Sequence, residues 1–252
     1  MGYELLMKTR LDKLLVNRGL TASRERAQAM ILAGKVLVEE QKIEKAGALV
    51  GENAVVRLLG EDLRYVSRGG LKLERALDHW KLDVAGKNCL DIGASTGGFT
   101  DCLLQYGADH VTAIDTGYGQ IAMKLRQDGR VRLVEKCNAR LLTREALGEL
   151  VDLVVIDVSF ISATLVLPPV VASAFPENSA GRFAIVLVKP QFEVGRELVG
   201  KGGIVRDEVA QLAAAEKIRG CAVELGAKTT DVIESPILGA EGNREFLLYA
   251  EF

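Results

Sequence analysis

Two patterns of apolar spacing divide the chain. From residue 8 to about 60 the apolar positions come in short helical stripes. Leu11, Leu14 and Leu15 recur at i, i+3 and i+4, which predicts a helix that Gly19 ends. Ser23 is placed to cap a second helix, striped by Ala27, Met30 and Ile31 and stopped by Gly34. Residues 36–38 and 54–58 predict short strands. Beyond residue 70 the pattern changes to continuous apolar runs separated by helical stretches. Runs at 88–92, 111–115, 131–135, 152–157, 183–189, 229–235 and 245–251 predict strands. Helices are predicted at 72–80, 98–106, 119–127, 143–149, 161–173 and 207–225. This alternation predicts an α/β fold, a mostly parallel seven-stranded Rossmann-like sheet preceded by a small α+β domain. The predicted boundaries are a small domain at 1–60, a linker at 61–70 containing Gly69-Gly70, and a large domain at 71–252. Residues 1–6, ahead of a second methionine at Met7, read as an extension.

The stretch from Cys89 to Thr100 joins an apolar strand, a glycine-rich turn and a helix start, the layout of a nucleotide-binding corner. Glycines let the backbone approach a ligand, and free N–H groups at the helix start favour electron-rich atoms. A dinucleotide fingerprint would read G-x-G-x-x-G. Here Gly93 is followed by Gly97 and Gly98, and Ser95 stands where the second glycine belongs. Asp91, two residues before Gly93, resembles the acid that faces the methionine amino group in S-adenosylmethionine (SAM) methyltransferases. Asp115, ending the next run, falls where an acid can bind ribose hydroxyls. The predicted cofactor set is Asp91, Gly93, Ala94, Ser95, Gly97, Gly98, Phe99 and Asp115.

Ligands of such sheets bind outside the carboxyl ends of the strands. Asp157 ends one strongly apolar run and Lys189 ends another, followed by Pro190, which biases Lys189 toward an extended backbone. Glu245 opens the last strand, and Lys72 lies in the first turn of the predicted helix after Gly70. A hydroxyl acceptor needs a base, and a lysine beside a second cation has its ammonium form disfavoured. Lys189 is read as that base, Lys72 as its tuner, and Asp157 and Glu245 as orienting carboxylates. The sequence Asp157-Val-Ser-Phe160 differs from the motif of enzymes that methylate exocyclic amines, and no Pro-Cys stands there for attack on a pyrimidine ring.

Formal net charge is −2, so nucleic-acid affinity must be local. Between residues 8 and 35, Lys8, Arg10, Lys13, Arg18, Arg24, Arg26 and Lys35 stand against Asp12 and Glu25, a local +5. That is the footprint of phosphate-backbone contact, and Arg68 beside the double glycine extends it. Four scattered cysteines and two histidines suggest neither a disulfide framework nor a metal site. With no long apolar run and no signal-peptide pattern, the expectation is a cytoplasmic protein without membrane contact.

Residues 10–38, with Ser23-Arg24-x-x-Ala27-x-x-x-Ile31-x-x-Gly34-x-Val36-x-Val38, resemble the α-L RNA-binding module first seen in a small-subunit ribosomal protein. Glu39-Glu40 departs from that module, where Asn-Gly is usual. Ser67-Arg68-Gly69-Gly70-x-Lys72, the glycine corner, Asp157-Val-Ser159-Phe160, Lys189-Pro-Gln-Phe192-Glu193 and Gly239-x-x-Gly242-Asn243-x-Glu245 then follow in order. Together they resemble the TlyA (haemolysin A) family of ribosomal RNA 2′-O-methyltransferases, whose catalytic domain is similar to the FtsJ methyltransferases. The resemblance implies methyl transfer from SAM to a ribose, with cytidine as acceptor, in rRNA within an assembled subunit. It puts the family's Lys-Asp-Lys-Glu tetrad on Lys72, Asp157, Lys189 and Glu245, and sets Asn138 near the adenine. The alternatives are a silent RNA-binding protein, a membrane-active haemolysin, and a nicotinamide oxidoreductase, which the Ser95 spacing disfavours.

Overall fold

In the computed structural model, which describes residues 8–21, 23–59, 64–175, 181–239 and 241–252, the chain separates into two compact units, Met1–Leu63 and Arg64–Phe252. In the first unit, β1 (Lys8–Arg10), α1 (Leu11–Asn17), α2 (Arg24–Leu32), β2 (Val36–Val38), β3 (Gln41–Lys42), β4 (Leu49–Gly51) and β5 (Val56–Leu58) follow in order. The predicted stripes of both helices pack with Val36 and Val38 into one core. Ser23 caps α2, its Oγ accepting from the Arg26 N–H at 3.2 Å. Strands β1, β3 and β4 are too short to show a period in the sequence. Between β2 and β3, Glu39 and Glu40 both take the left-handed conformation (φ 50° and 60°) that the usual Asn-Gly adopts without strain. The Val55 N–H donates to Glu39 at 2.7 Å, and Arg57 pairs with Glu40.

One fully buried residue of this unit is an acid. Asp12 accepts from Arg10 Nε (3.0 Å), Arg24 Nε (2.9 Å) and Gln28 Nε2 (2.9 Å). Arg18 donates to the carbonyls of Ala54, at 2.7 Å, and Glu52. Three cations predicted to meet RNA are therefore also structural ties, because Asp12 lies inside the unit and draws its arginines inward. Arg26 is half-buried and engaged within the protein. Lys8, Lys13 and Lys35 are exposed.

The second unit contains α3 (Gly69–Trp80), β6 (Asn88–Ile92), α4 (Gly98–Gln105), β7 (His110–Ile114), α5 (Met123–Arg126), β8 (Val131–Val134), α6 (Arg144–Leu147), β9 (Leu153–Ile156), α7 (Leu167–Ala174), β10 (Phe183–Val188), α8 (Pro190–Glu193), α9 (Glu208–Glu224), β11 (Thr229–Glu234) and β12 (Phe246–Glu251). Seven strands form one sheet in the order β11-β12-β10-β9-β6-β7-β8. All neighbours are parallel except β12, antiparallel to β10 and β11. One apolar cluster joins α3 and α4 to one face, and another joins α7 and α9 to the other. Burial on both faces explains the unbroken apolar run of β9.

Three helices are clearly shorter than predicted, among them 143–149, helical only at Arg144–Leu147. Only Met123–Arg126 of 119–127 is helical, after turns that contain Gly117 and Gly119. Pro168 and Pro169 lie in the first turn of α7, so the predicted 161–173 helix starts at Leu167. Of the predicted linker, 61–63 lie outside the described residues and 65–70 belong to the large unit. Tyr65 is buried, the Val66 N–H donates to Asp101 Oδ2 at 2.8 Å, and α3 already begins at Gly69. The double glycine is thus a helix start rather than a free hinge.

Arg10, with Gln28 and Arg24, holds the Asp12 carboxyl well below the usual carboxylate range. A depressed folded-state value stabilises above the unfolded value, roughly pH 4, and is lost as pH falls through the folded value. Asp12→Asn should therefore destabilise the small unit by about 2–3 kcal/mol at pH 7. In urea unfolding the difference from wild type should shrink as pH falls below about 4.

Candidate active site

The strand order reverses direction at β6, which lies between β7 and β9, and a crevice opens there at the carboxyl ends. The corner after β6 is set by Gly93, at φ 85°. A Cβ there would lie 2.9 Å from the Asp157 carbonyl carbon and closer still to its oxygen. No side chain fits, and the two strand ends meet backbone to backbone.

Two cavities share this corner. The larger, about 430 Å³, is lined by Asp115 and Asn138, by apolar groups from Ile92, Ile114, Val158 and Ile161, and by Gly93, Ser95 and Asp157. The Asp115 carboxylate accepts from the Ser95 N–H (2.8 Å, Oδ2) and the Gly117 N–H (2.6 Å, Oδ1). Each oxygen keeps lone-pair capacity for a ribose hydroxyl. Volume, apolar walls and one acid at the rim fit an adenosine-bearing cofactor, so these residues can hold SAM.

The smaller cavity, about 250 Å³, is lined by Lys72, Asp157, Lys189 and Glu245, with Arg68, Ala94, Gly98 and Phe99. The four ionisable groups come from α3, the ends of β9 and β10, and the start of β12. They close as two ion pairs. Lys72 Nζ donates to Glu245, which is 3% exposed. Lys189 Nζ lies 2.6 Å from Asp157 Oδ1 and donates to Ser159 Oγ at 2.8 Å. Its approach to Asp157 is an ion-pair contact outside hydrogen-bond geometry, which leaves that oxygen without a donor. Lys189 is extended (φ −112°, ψ 99°) before Pro190, as the sequence predicts. Each lysine is neutralised by its own carboxylate, an arrangement the sequence does not specify.

Of the predicted cofactor residues, Asp91 and Gly97 line neither cavity. Asp91 shares a sheet face with Cys89, under α4, where Thr100 Oγ1 donates to its Oδ2 at 2.6 Å. Alternation along β6 turns the acid into the protein, away from the rim. Its Oδ1 has no donor, and burial pushes its carboxyl up to about 7. The Asn138 side chain accepts from the Arg140 N–H at 3.1 Å and so also caps a turn. Ser159 and Phe160 carry no prediction. Phe160 is 92% exposed at the mouth of the larger cavity, at φ 65°, with its ring 5.2 Å from Phe192. The Asp157-Val-Ser-Phe motif marks both positions, yet no periodicity reveals a turn that sets a phenyl ring outward.

A buried acid with a raised value stabilises fully below its unfolded value, near pH 4, and that contribution is lost as pH rises through about 7. Asp91→Asn keeps an acceptor for Thr100 and carries no charge. It should exceed wild type in stability by on the order of 2–4 kcal/mol at pH 8, with the gap closing toward pH 4 in urea unfolding. SAM affinity should stay within about threefold of wild type in calorimetry, because Asp91 does not face the cavity.

An FtsJ-like methyltransferase family model matches residues 65–252, and an S4 domain model matches residues 9–56. The chain is 45% identical over 243 residues to the 16S/23S rRNA (cytidine-2′-O)-methyltransferase TlyA of Mycobacterium tuberculosis, covering 96% of this chain and 89% of that protein. It is also 45% identical to YqxC of Bacillus subtilis, named as an rRNA methyltransferase, covering 96% and 85%. A solved structure from Streptococcus thermophilus that carries a hemolysin name superposes with a TM-score of 0.72 at 43% identity, covering 98% of this chain and 89% of that one. Among the described residues no helix is long and apolar enough to cross a membrane. With a glycine corner, a cofactor cavity and a lysine–carboxylate cavity on one sheet rim behind an S4 unit, the chain belongs to the TlyA family of SAM-dependent, FtsJ-like methyltransferases.

Proposed function

We propose that the protein methylates a ribose 2′-hydroxyl of ribosomal RNA, at cytidine, and that it acts in the cytoplasm on an assembled ribosomal subunit. One observation carries the reading. Gly93, Ser95 and Asp157 line both cavities, so a cofactor held by Asp115 would end where the two lysine–carboxylate pairs begin. Bound SAM supplies an electrophilic methyl group on a sulfonium sulfur. The acceptor hydroxyl enters the smaller cavity, where Lys72 and Glu245 hold its ribose. Lys189 Nζ would take the proton that the hydroxyl loses when it accepts the cofactor's methyl group. Asp157 and Ser159 fix the amine and receive its charge afterwards. The identity to the M. tuberculosis relative supports cytidine in rRNA as the acceptor.

Lys189→Arg separates a base from a fixed cation, since a guanidinium keeps its proton. Both Lys189→Arg and Lys189→Ala should lose about 10²–10⁴-fold in kcat with labelled SAM and purified subunits, while SAM affinity persists. An arginine variant that keeps most of the rate would assign Lys189 an electrostatic role instead.

In the small unit, Lys13 and Lys35 are exposed; Lys13 meets Asp12 only through its backbone N–H (3.0 Å), and neither lysine side chain joins the Asp12 network. Lys13→Glu with Lys35→Glu should weaken subunit binding and lower the log–log salt slope by roughly 1–2. Reversing Arg10 or Arg24 should unfold the unit as well, which circular dichroism of the variants would show.

A further inference from the structure

The segment 195–206, between α8 and α9, carries Arg196, Lys201 and Arg206 against Glu197, and Asp207, which follows it, caps α9. All three cations are exposed, and among the described residues none has a carboxylate partner. Elsewhere in the same unit Arg126, Arg130, Arg132, Arg182, Arg219 and Arg244 are each paired with an acid. Like charges gathered on one loop without counter-ions repel one another unless an anion meets them.

The loop is built rather than slack. Gly202 and Gly203 take φ 78° and 74°, and the turn closes through Gly203 N–H to the Gly200 carbonyl (3.1 Å) and Gly200 N–H to the Ile204 carbonyl (3.0 Å). The side chain of Asn243, 1% exposed, accepts from the Val205 N–H at 2.9 Å and donates to the Gly203 carbonyl at 2.8 Å. Gln211 Nε2 donates to the Val205 carbonyl at 2.7 Å. Asn243 lies two residues before Glu245, and Ile237, Leu238 and Glu245 line the smaller cavity. The loop is therefore bolted to the segment that walls the acceptor site. On its tip the N–H groups of Lys201 and Gly202 have no acceptor among the described residues. The Arg206 guanidinium lies against Gly200, where a Cβ would be 3.2 Å from Nη1.

From this arrangement we infer that the 195–206 loop is a phosphate-binding clamp for the RNA strand that passes the acceptor cavity. Lys201, Arg206 and the open N–H groups contact the backbone, and Asn243 is the positioning residue that holds them in register with Glu245. Cations and backbone donors on a glycine turn suit phosphate oxygens and carry no base information. The clamp positions RNA and leaves the choice of nucleotide to other contacts. It rests on the proposed RNA substrate and extends it to a second surface, within the catalytic unit.

The test compares Lys201→Glu/Arg206→Glu with wild type, and with Lys228→Glu as a charge control. Lys228 is exposed and precedes β11, at the opposite edge of the sheet from the cavities. Binding is measured to purified ribosomal subunits and to deproteinised rRNA at several salt concentrations, alongside SAM affinity and methyl transfer. The double variant should bind both probes about tenfold more weakly at low salt, with a salt slope lower by roughly 1–2. Its SAM affinity should be unchanged, and Lys228→Glu should bind as wild type does. Unchanged binding of the double variant would overturn the clamp. So would a loss confined to intact subunits, which would assign the loop to a ribosomal protein, and so would wild type that does not bind deproteinised rRNA. If wild type binds SAM and RNA but transfers no methyl group, the proposed reaction fails and the clamp is still decided by the binding data.

Discussion

The site depends on one close approach. At Gly93 the corner after β6 runs so near the Asp157 carbonyl that any side chain would collide with it. The Asp157 N–H donates to the Ile92 carbonyl at 2.8 Å, and the Gly93 N–H donates to the Ile114 carbonyl at 2.8 Å. Three strand ends are thereby locked at one point of the rim. Asp115 is carried to one side of that point and Asp157 to the other. The larger and the smaller cavity therefore meet at the same three residues instead of lying apart on the sheet edge.

Charge is managed around that point by pairing. Lys72 with Glu245 and Lys189 with Asp157 set two lysines against two carboxylates in a cavity that Arg68 also lines. Breaking one partner would leave a buried charge uncompensated, which costs more than the intact pair contributes. The same physics explains Asp12, where one fully buried acid gathers two arginines and a glutamine. Asp91 is managed differently. With one hydroxyl donor and no cation, burial dominates and pushes its carboxyl up to about 7.

The sheet was readable from the sequence because both faces are covered. The runs that became β9 and β10 are apolar at every position, and their ends bring Asp157 and Lys189 to the rim whatever the helices do. Glu245 and Lys72 could be read because they flank elements with clear starts. Asp91 misled because its position in the sequence marks the strand end but not the face; Thr100, nine residues on, decides that by receiving it under α4. Arg10 and Arg24 carry a structural role that the sequence hides for a related reason. Their charge is visible in the sequence, whereas the burial of Asp12 that commits them to structure is a tertiary fact. The shortened α5 and the late start of α7 lay in the glycines and prolines, whose local effect outweighed the apolar stripe. The outward setting of Phe160 left no periodic signal, since an exposed ring on a left-handed turn obeys no period; only the Asp157-Val-Ser-Phe motif marks its position.

The most direct test is to incubate purified ribosomal subunits with the protein and methyl-labelled SAM, digest the RNA to nucleosides and identify the labelled species by mass spectrometry. The account predicts label in 2′-O-methylcytidine. Label on a nucleobase, or no label while SAM binds, would contradict the assignment of the two lysine–carboxylate pairs to a ribose hydroxyl.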